Sequence, residues 1–170
     1  MTGYPLLTEY ACGAPFHQVT VPVTMDRPSF RGQTEFTLRP GTVTDDAVEL
    51  FGYAHCQALA GAMHELTGWP FAWFERCKDG QWAFTHAGVV TPSGLMLDIH
   101  GLRTPEQAMK AIWADIGFDV RWTPLASPPY DVVPWTAWTD ASLGSTAWAG
   151  FALGVEIVRY FAECLCKEAR

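Results

Sequence analysis

One segment of this 170-residue chain, from Cys56 to His100, places the strongest constraint on how the chain can fold. After Cys56 the apolar residues recur at helical spacing, at Leu59, Ala62, Met63 and Leu66. Gly68 and Pro70 then provide the left-handed cap and the stop that commonly end a helix. The segment therefore predicts a helix that has Cys56 in its first turn and ends near Gly68.

Three β-like runs follow this helix, and turn-forming residues separate them. The runs cover residues 71–75, 81–90 and 95–100. The segment Thr91-Pro92-Ser93-Gly94 fits a hairpin loop in which Pro92 and Ser93 form a type I turn and Gly94 takes the left-handed position. A helix followed by sequential strands predicts an α+β fold, with the helix packed on an antiparallel β-meander.

Weaker patterns flank this region on both sides. Before the region they predict two strands, at 18–21 and 34–38, and a short helix from a cap at Thr44 through Leu50 that Gly52 breaks. After the region they predict a helix from the cap at Thr104 to about Ile116, a strand at 118–123, and a long C-terminal helix at about 145–168. The length suits one domain, so we expect a single domain over residues 1–170 with its core motif region at 44–123.

The composition excludes several classes of protein. The net charge is −7 with only 11 Lys and Arg residues, and no basic run interleaved with aromatics occurs, so we expect no nucleic acid partner. The N-terminus lacks a signal-peptide pattern, and charged residues interrupt the most apolar stretch, 147–165, which argues against a membrane span. The five cysteines are irregularly spaced, which predicts reduced thiols and a cytoplasmic protein.

Three residues of the segment have the chemistry of a cysteine-nucleophile triad. The thiol of Cys56 would face the unpaired N–H groups and the positive dipole at the start of its helix, which favour the thiolate. The predicted hairpin pairs Thr91 with Leu95, and this register makes His86 and Asp98 diagonal neighbours on one face. His86 would then accept the proton of Cys56, and Asp98 would orient and stabilise the imidazolium.

These residues resemble the transglutaminase-like branch of the papain-like cysteine enzymes. The run from Cys56 through Leu59-Ala60 and Leu66 into Gly68-Trp69-Pro70 looks like the nucleophile helix of that family, and His86-Ala87 and Leu97-Asp98 resemble its later strands in the same chain order. The resemblance covers residues 48–101. It implies a papain-like or transglutaminase-like fold, with the nucleophile-bearing helix packed on the meander and additional helices around it, and a triad of Cys56, His86 and Asp98.

Two positions depart from the family pattern. Gly88 stands where the family commonly has an aromatic residue, and Ile99 stands where it has a proline. Because the branch includes transferases, peptidases and amidases, the resemblance implies only a cysteine hydrolase or acyltransferase. We expect it to act on an amide, thioester or related acyl bond of a protein, peptide or small acyl substrate, as a peptidase, deamidase or transglutaminase-type enzyme without a cofactor.

Other residues are candidates for the walls of the site. We expect His55, beside the nucleophile, to line the substrate pocket. Alternation along its strand predicts that Trp82 lies with Phe84 on the face of His86. His100 shares that predicted face, where it would bind substrate or replace His86 as the partner of Cys56. The oxyanion would bind to the N–H of Cys56 and to a second donor, from residues 52–55 or from Gln18 or Gln33.

Three alternatives stay open from the sequence. The first is a non-catalytic binding or inhibitor protein on the same scaffold. The second is a zinc protein, because Cys56, His86, Asp98 and His100 are all ligand types, although no paired ligand motif occurs and we expect no metal. The third concerns the apolar stripe of the C-terminal helix, at Trp148, Phe151, Ala152, Val155, Val158, Ala162 and Leu165. We expect this stripe to pack in the core, but a homodimer would form through it if the N-terminal strands left it uncovered.

Overall fold

A computed structural model describes residues 13–22, 35–127 and 154–170. Within these residues the strands are β1 (Val19–Pro22), β2 (Glu35–Leu38), β3 (Phe71–Lys78), β4 (Gln81–Val90), β5 (Met96–Asp98), β6 (Gly101–Arg103) and β7 (Val120–Leu125). The helices are α1 (Asp45–Tyr53), α2 (Cys56–Thr67), α3 (Pro105–Ile116) and α4 (Val155–Glu168). This part of the chain therefore has an α+β fold.

A five-stranded antiparallel sheet carries the site region. Its strand order is β6-β5-β4-β3-β7, while β1 and β2 pair separately as a two-stranded sheet. Alternate residues of β3 face opposite sides of the larger sheet: Trp73 clusters with Ala60 of α2, and Phe74 clusters with Ala108 of α3. The sheet is thus covered by a helix on each face, and β3, β4 and β5 form the predicted antiparallel meander.

The helix boundaries follow their caps. Thr44 accepts a hydrogen bond from the Ala47 N–H at the start of α1, Thr104 forms a capping box with Gln107 at the start of α3, and α2 ends at Gly68 in the left-handed conformation. The predicted break at Gly52 is wrong, because α1 continues to Tyr53. A glycine inside a helix costs only about 1 kcal/mol relative to alanine, which packing readily offsets.

Three strands of the larger sheet have bounds that differ from the sequence prediction. The strand predicted at 95–100 ends at Asp98, because the chain turns there and pairs Asp98 with Gly101 in the unpredicted strand β6. β3 continues past Glu75 to Lys78. β7 covers Val120–Leu125 rather than 118–123, and it includes a proline because it lies at the edge of the sheet, where one N–H is dispensable.

The largest core joins α1, α2 and α4 to the two-stranded sheet. Val158, Phe161 and Leu165 of α4 are buried in it together with Phe36 and Leu38 of β2. Core packing of the C-terminal helix is therefore confirmed from Val155 onwards, where its apolar face is covered. The predicted helix start near residue 145, and Trp148, Phe151 and Ala152, lie outside the described residues.

None of the four described helices combines the length with the apolar character that a membrane crossing requires.

Candidate active site

Cys56 is the first residue of α2 and its side chain lies at the edge of the core. Only 4% of the residue is exposed, and His55 immediately before it is the N-cap of the helix. The N–H groups of a first helical turn have no partner within the helix, so that of Cys56 is positioned as a donor beside its own sulfur. The predicted location of Cys56 in the first turn of a helix is confirmed.

The hairpin after β4 has the predicted register. The Gly94 N–H donates to the Thr91 carbonyl at 2.9 Å, and the Thr91 N–H donates to the Leu95 carbonyl at 2.8 Å. This register brings Nε2 of His86 to 2.8 Å from Oδ2 of Asp98. Both residues are buried, with exposed fractions of 5% and 1%, so their hydrogen bond lies out of contact with bulk solvent.

His86 also lies against the end of α1 and near the start of α2. Its Nδ1 lies 3.2 Å from the carbonyl oxygen of Gly52, and Cys56 is near enough to the ring to raise the pKa of His86. Nε2 faces Asp98, so Nδ1, which also faces the Gly52 carbonyl, is the nitrogen on the other side of the ring. Cys56, His86 and Asp98, which are far apart in the sequence, are thus brought into one buried region.

Both ring nitrogens of His86 face hydrogen-bond acceptors. A neutral imidazole has one N–H and satisfies one of them, whereas an imidazolium donates to both the Asp98 carboxylate and the Gly52 carbonyl. The pKa of His86 agrees with this geometry. Burial by itself lowers it, but the hydrogen bonds to Asp98 and to Cys56 outweigh burial and raise the pKa from 6.5 to about 10.

Asp98 is held by three donors. Its Oδ2 accepts hydrogen bonds from His86 and from the Arg103 guanidinium, and its Oδ1 accepts the backbone N–H of His100 at 2.9 Å. Burial raises the pKa of this carboxyl, but the hydrogen bond to His86 and the charge of Arg103 reverse that effect and hold the pKa well below its usual range. Asp98 therefore stays ionised, as the partner of an imidazolium must.

A β-bulge separates His86 from the residues before it on β4. His86 pairs with Phe74 and Phe84 pairs with Glu75, so Thr85 is an extra residue between them. The ring of Phe84 packs on Trp73, on the face opposite Phe74 and His86. The prediction that Phe84 shares the face of His86 is therefore wrong, because it assumed unbroken alternation.

Trp82, two residues further along β4, is 40% exposed, and its ring centroid lies 4.3 Å from the Arg121 guanidinium. The same bulge interrupts the alternation that predicted this ring beside His86.

A cavity of about 630 Å³ lies beside His86, between the sheet and α3. Its described lining is Gly52, Tyr53, Thr85, His86, His100, Leu102, Arg103, Gln107, Ala111, Ile112 and Ile116. His100 thus shares the site with His86, although from a turn rather than from the predicted strand. His55 is buried next to Cys56, and neither it nor Trp82 is among these lining residues.

The candidate second oxyanion donors differ in position. Gln18 is exposed just before β1, and Gln33 lies outside the described residues.

Gly88 explains one departure from the expected pattern. A Cβ atom at this position would lie 2.6 Å from the Leu97 carbonyl oxygen and 2.8 Å from Cε of Met96. These distances are too short for any side chain, so β4 approaches β5 this closely only because residue 88 is glycine. Ile99, the other departure, is fully buried in the core. The close approach of the two strands is what brings Asp98 to His86.

We expect Gly88→Ala to destabilise the protein by about 1 to 3 kcal/mol, because β5 must move away to admit the methyl group. Urea denaturation measures the loss. Gly52→Ala is a matched control, since its Cβ would meet only Nε2 of His100 at an ordinary 3.7 Å and alanine favours the helix. Equal stabilities for the two variants would contradict the role assigned to Gly88.

The remaining thiols have different surroundings. Cys164 and Cys166 are buried in α4, where burial raises the pKa of both, that of Cys166 to about 11. Cys77 is partly exposed on β3. In the part of the chain that the structure covers, no group of three or more His, Cys, Asp or Glu side chains is arranged to hold a metal ion.

Comparison of the chain with protein-family models, with curated proteins and with solved structures gave no match.

Proposed function

We propose that this protein is a cysteine hydrolase or acyltransferase with a papain-like, transglutaminase-like fold. The observation that carries the proposal is the buried hydrogen bond of His86 to the Asp98 carboxylate, with Cys56 near enough to the imidazole to raise its pKa. A nucleophile, a general base and a carboxylate that orients the base are three parts that recur in covalent acyl transfer. The substrate is an amide, thioester or related acyl compound, as a protein, a peptide or a small molecule.

The charges of the cluster support this chemistry. Asp98 is ionised, Arg103 carries a positive charge, and His86 is an imidazolium at neutral pH. These three groups sum to one positive charge near the sulfur, which stabilises negative charge that develops during the reaction. The thiolate attacks the carbonyl carbon, the N–H of Cys56 donates to the oxyanion, and His86 gives its proton to the leaving group. Water or an amine then resolves the acyl-enzyme.

Alkylation of the thiols tests the proposal. With iodoacetamide at pH 6, we expect Cys56 to react roughly tenfold or more faster than Cys77, because a thiolate rather than a thiol is the nucleophile. Peptide mass spectrometry assigns the label to each cysteine. His86→Ala should remove the difference, while His17→Ala, at an exposed histidine, should leave it unchanged.

Slow labelling of Cys56 at the rate of Cys77 in the wild-type protein would contradict the proposal. That result would favour the non-catalytic binding protein, in which a cysteine that is only 4% exposed fills space in the core.

A further inference from the structure

The position of the cavity beside His86 indicates which part of a substrate, the acyl group or the leaving group, would bind there. In acyl transfer the acyl carbon must bond to the sulfur of Cys56, while the leaving group must lie next to His86 to receive its proton. Of the described residues, His86 lines the cavity and Cys56 does not. If the proposed function holds, this space therefore receives the leaving group rather than the acyl group.

The walls of the cavity indicate what kind of leaving group fits. Leu102 of β6 and Ile112 and Ile116 of α3 form an apolar side. Arg103 and Gln107 also line the cavity, and the described lining contains no Asp or Glu.

Gln107 lines the cavity, and its side chain has a donor group that the helix cap does not use. Its Oε1 already accepts the backbone N–H of Thr104 at 2.9 Å, which leaves the amide NH₂ to face other groups. Arg103 has only donors as well, and one of them is used on Asp98. A wall of donors without a carboxylate favours a ligand that brings acceptors, above all an anionic carboxylate.

We propose that the cavity binds an amine that carries a carboxylate and an apolar side chain, as the leaving group of the amide that this enzyme cleaves. The sulfur–carbon bond forms first and pushes the carbonyl electrons onto the oxygen. When this tetrahedral intermediate collapses, the carbon–nitrogen bond breaks, the proton of His86 goes to the nitrogen, and the amine departs into the cavity. In the reverse direction the same amine attacks the acyl-enzyme and returns its proton to His86.

The reverse step gives a direct test on the full-length protein. Acetylation of Cys56 by p-nitrophenyl acetate is followed by mass spectrometry, and deacylation is then measured with L-phenylalanine or with phenethylamine, which has the same apolar group and no carboxylate. At equal concentrations of free base, we expect phenylalanine to act saturably and roughly tenfold faster, the effect of one charge-assisted hydrogen bond. N-acetylphenylalanine should appear as the product.

Gln107→Glu isolates the recognition of the carboxylate. Glutamate preserves the capping box at Thr104 but replaces the amide donor by a negative charge, so the preference for phenylalanine should fall to near one. Gln81→Glu makes the same charge change at an exposed position on β4 and should retain the preference.

Two results would overturn the proposal in distinguishable ways. If Cys56 is acetylated but both amines act equally and without saturation, or if Gln81→Glu also loses the preference, the cavity does not select a carboxylate and the proposed function stands. If p-nitrophenyl acetate fails to acetylate Cys56, the proposed function fails and this assignment fails with it.

Discussion

Replacing Asp98 with alanine should lower the free energy of unfolding by about 3 to 5 kcal/mol, the cost of removing one partner of a buried ion pair. Asp98 is 1% exposed and accepts hydrogen bonds from His86, Arg103 and the His100 backbone. Without the carboxylate, an imidazolium and a guanidinium lie next to each other with no counter-charge. Urea denaturation followed by circular dichroism measures the loss.

Two further variants separate the charge from the shape of this side chain. Asp119→Ala removes an exposed carboxylate just before β7 and should change stability by no more than about 0.5 kcal/mol. Asp98→Asn keeps the size and one acceptor oxygen but removes the charge, so its stability should fall between those of wild type and Asp98→Ala. If Asp98→Ala proves as stable as Asp119→Ala, the buried ionic network does not exist.

The stability of the wild-type protein should also decrease as the pH rises above neutrality. The folded-state pKa of His86 is raised from 6.5 to about 10, so its contribution is fully present below pH 6.5 and is lost as the pH approaches 10. At roughly 1.4 kcal/mol for each pKa unit, the loss between pH 6.5 and about pH 8.5 is about 2 to 3 kcal/mol. Urea titrations at the two pH values measure it.

The pH range of this measurement is chosen to isolate His86. Free thiols in the unfolded chain ionise from about pH 8.5 upwards, and the raised pKa of Cys166 adds its own loss of stability only there. His86→Gln should abolish the decrease below about pH 8.5, and His17→Gln should retain it. The same decrease in His86→Gln as in wild type would show that another group is responsible.

Asp98 should make the stability of the protein decrease at acidic pH. Its folded-state pKa is lowered, so its contribution is present above the unfolded pKa of about 4 and is lost as the pH falls below it.

The parts of the site that depend on local chain chemistry could be predicted from the sequence. Thr44, Thr104 and Gly68 determine helix ends through bonds to residues a few positions away. A single turn, Thr91 to Gly94, determined the register that joins His86 to Asp98, because in a hairpin every later pair follows from the first. Because these features depend on residues that are close in the sequence, they can be predicted without knowing the tertiary structure.

Other parts of the site depend on contacts between distant segments. Arg103 reaches Asp98 only because the three-residue strand β6 folds back on β5, and so short a strand has no periodic signal. The Gly52 carbonyl reaches His86 only through the packing of α1 against the sheet. The bulge at Thr85 has no turn residue to mark it and is imposed by the pairing of β3 with β4.

The extra residue in β4 has a consequence for how this strand can change over time. On a regular strand the side chains alternate between the two faces of the sheet, so a shift by one residue moves every side chain to the other face. Thr85 offsets the two halves of β4 by one residue, so Phe84 faces the opposite side of the sheet from the one that unbroken alternation with His86 would give it. Deleting Thr85 would therefore exchange the two faces of one half of the strand relative to the other.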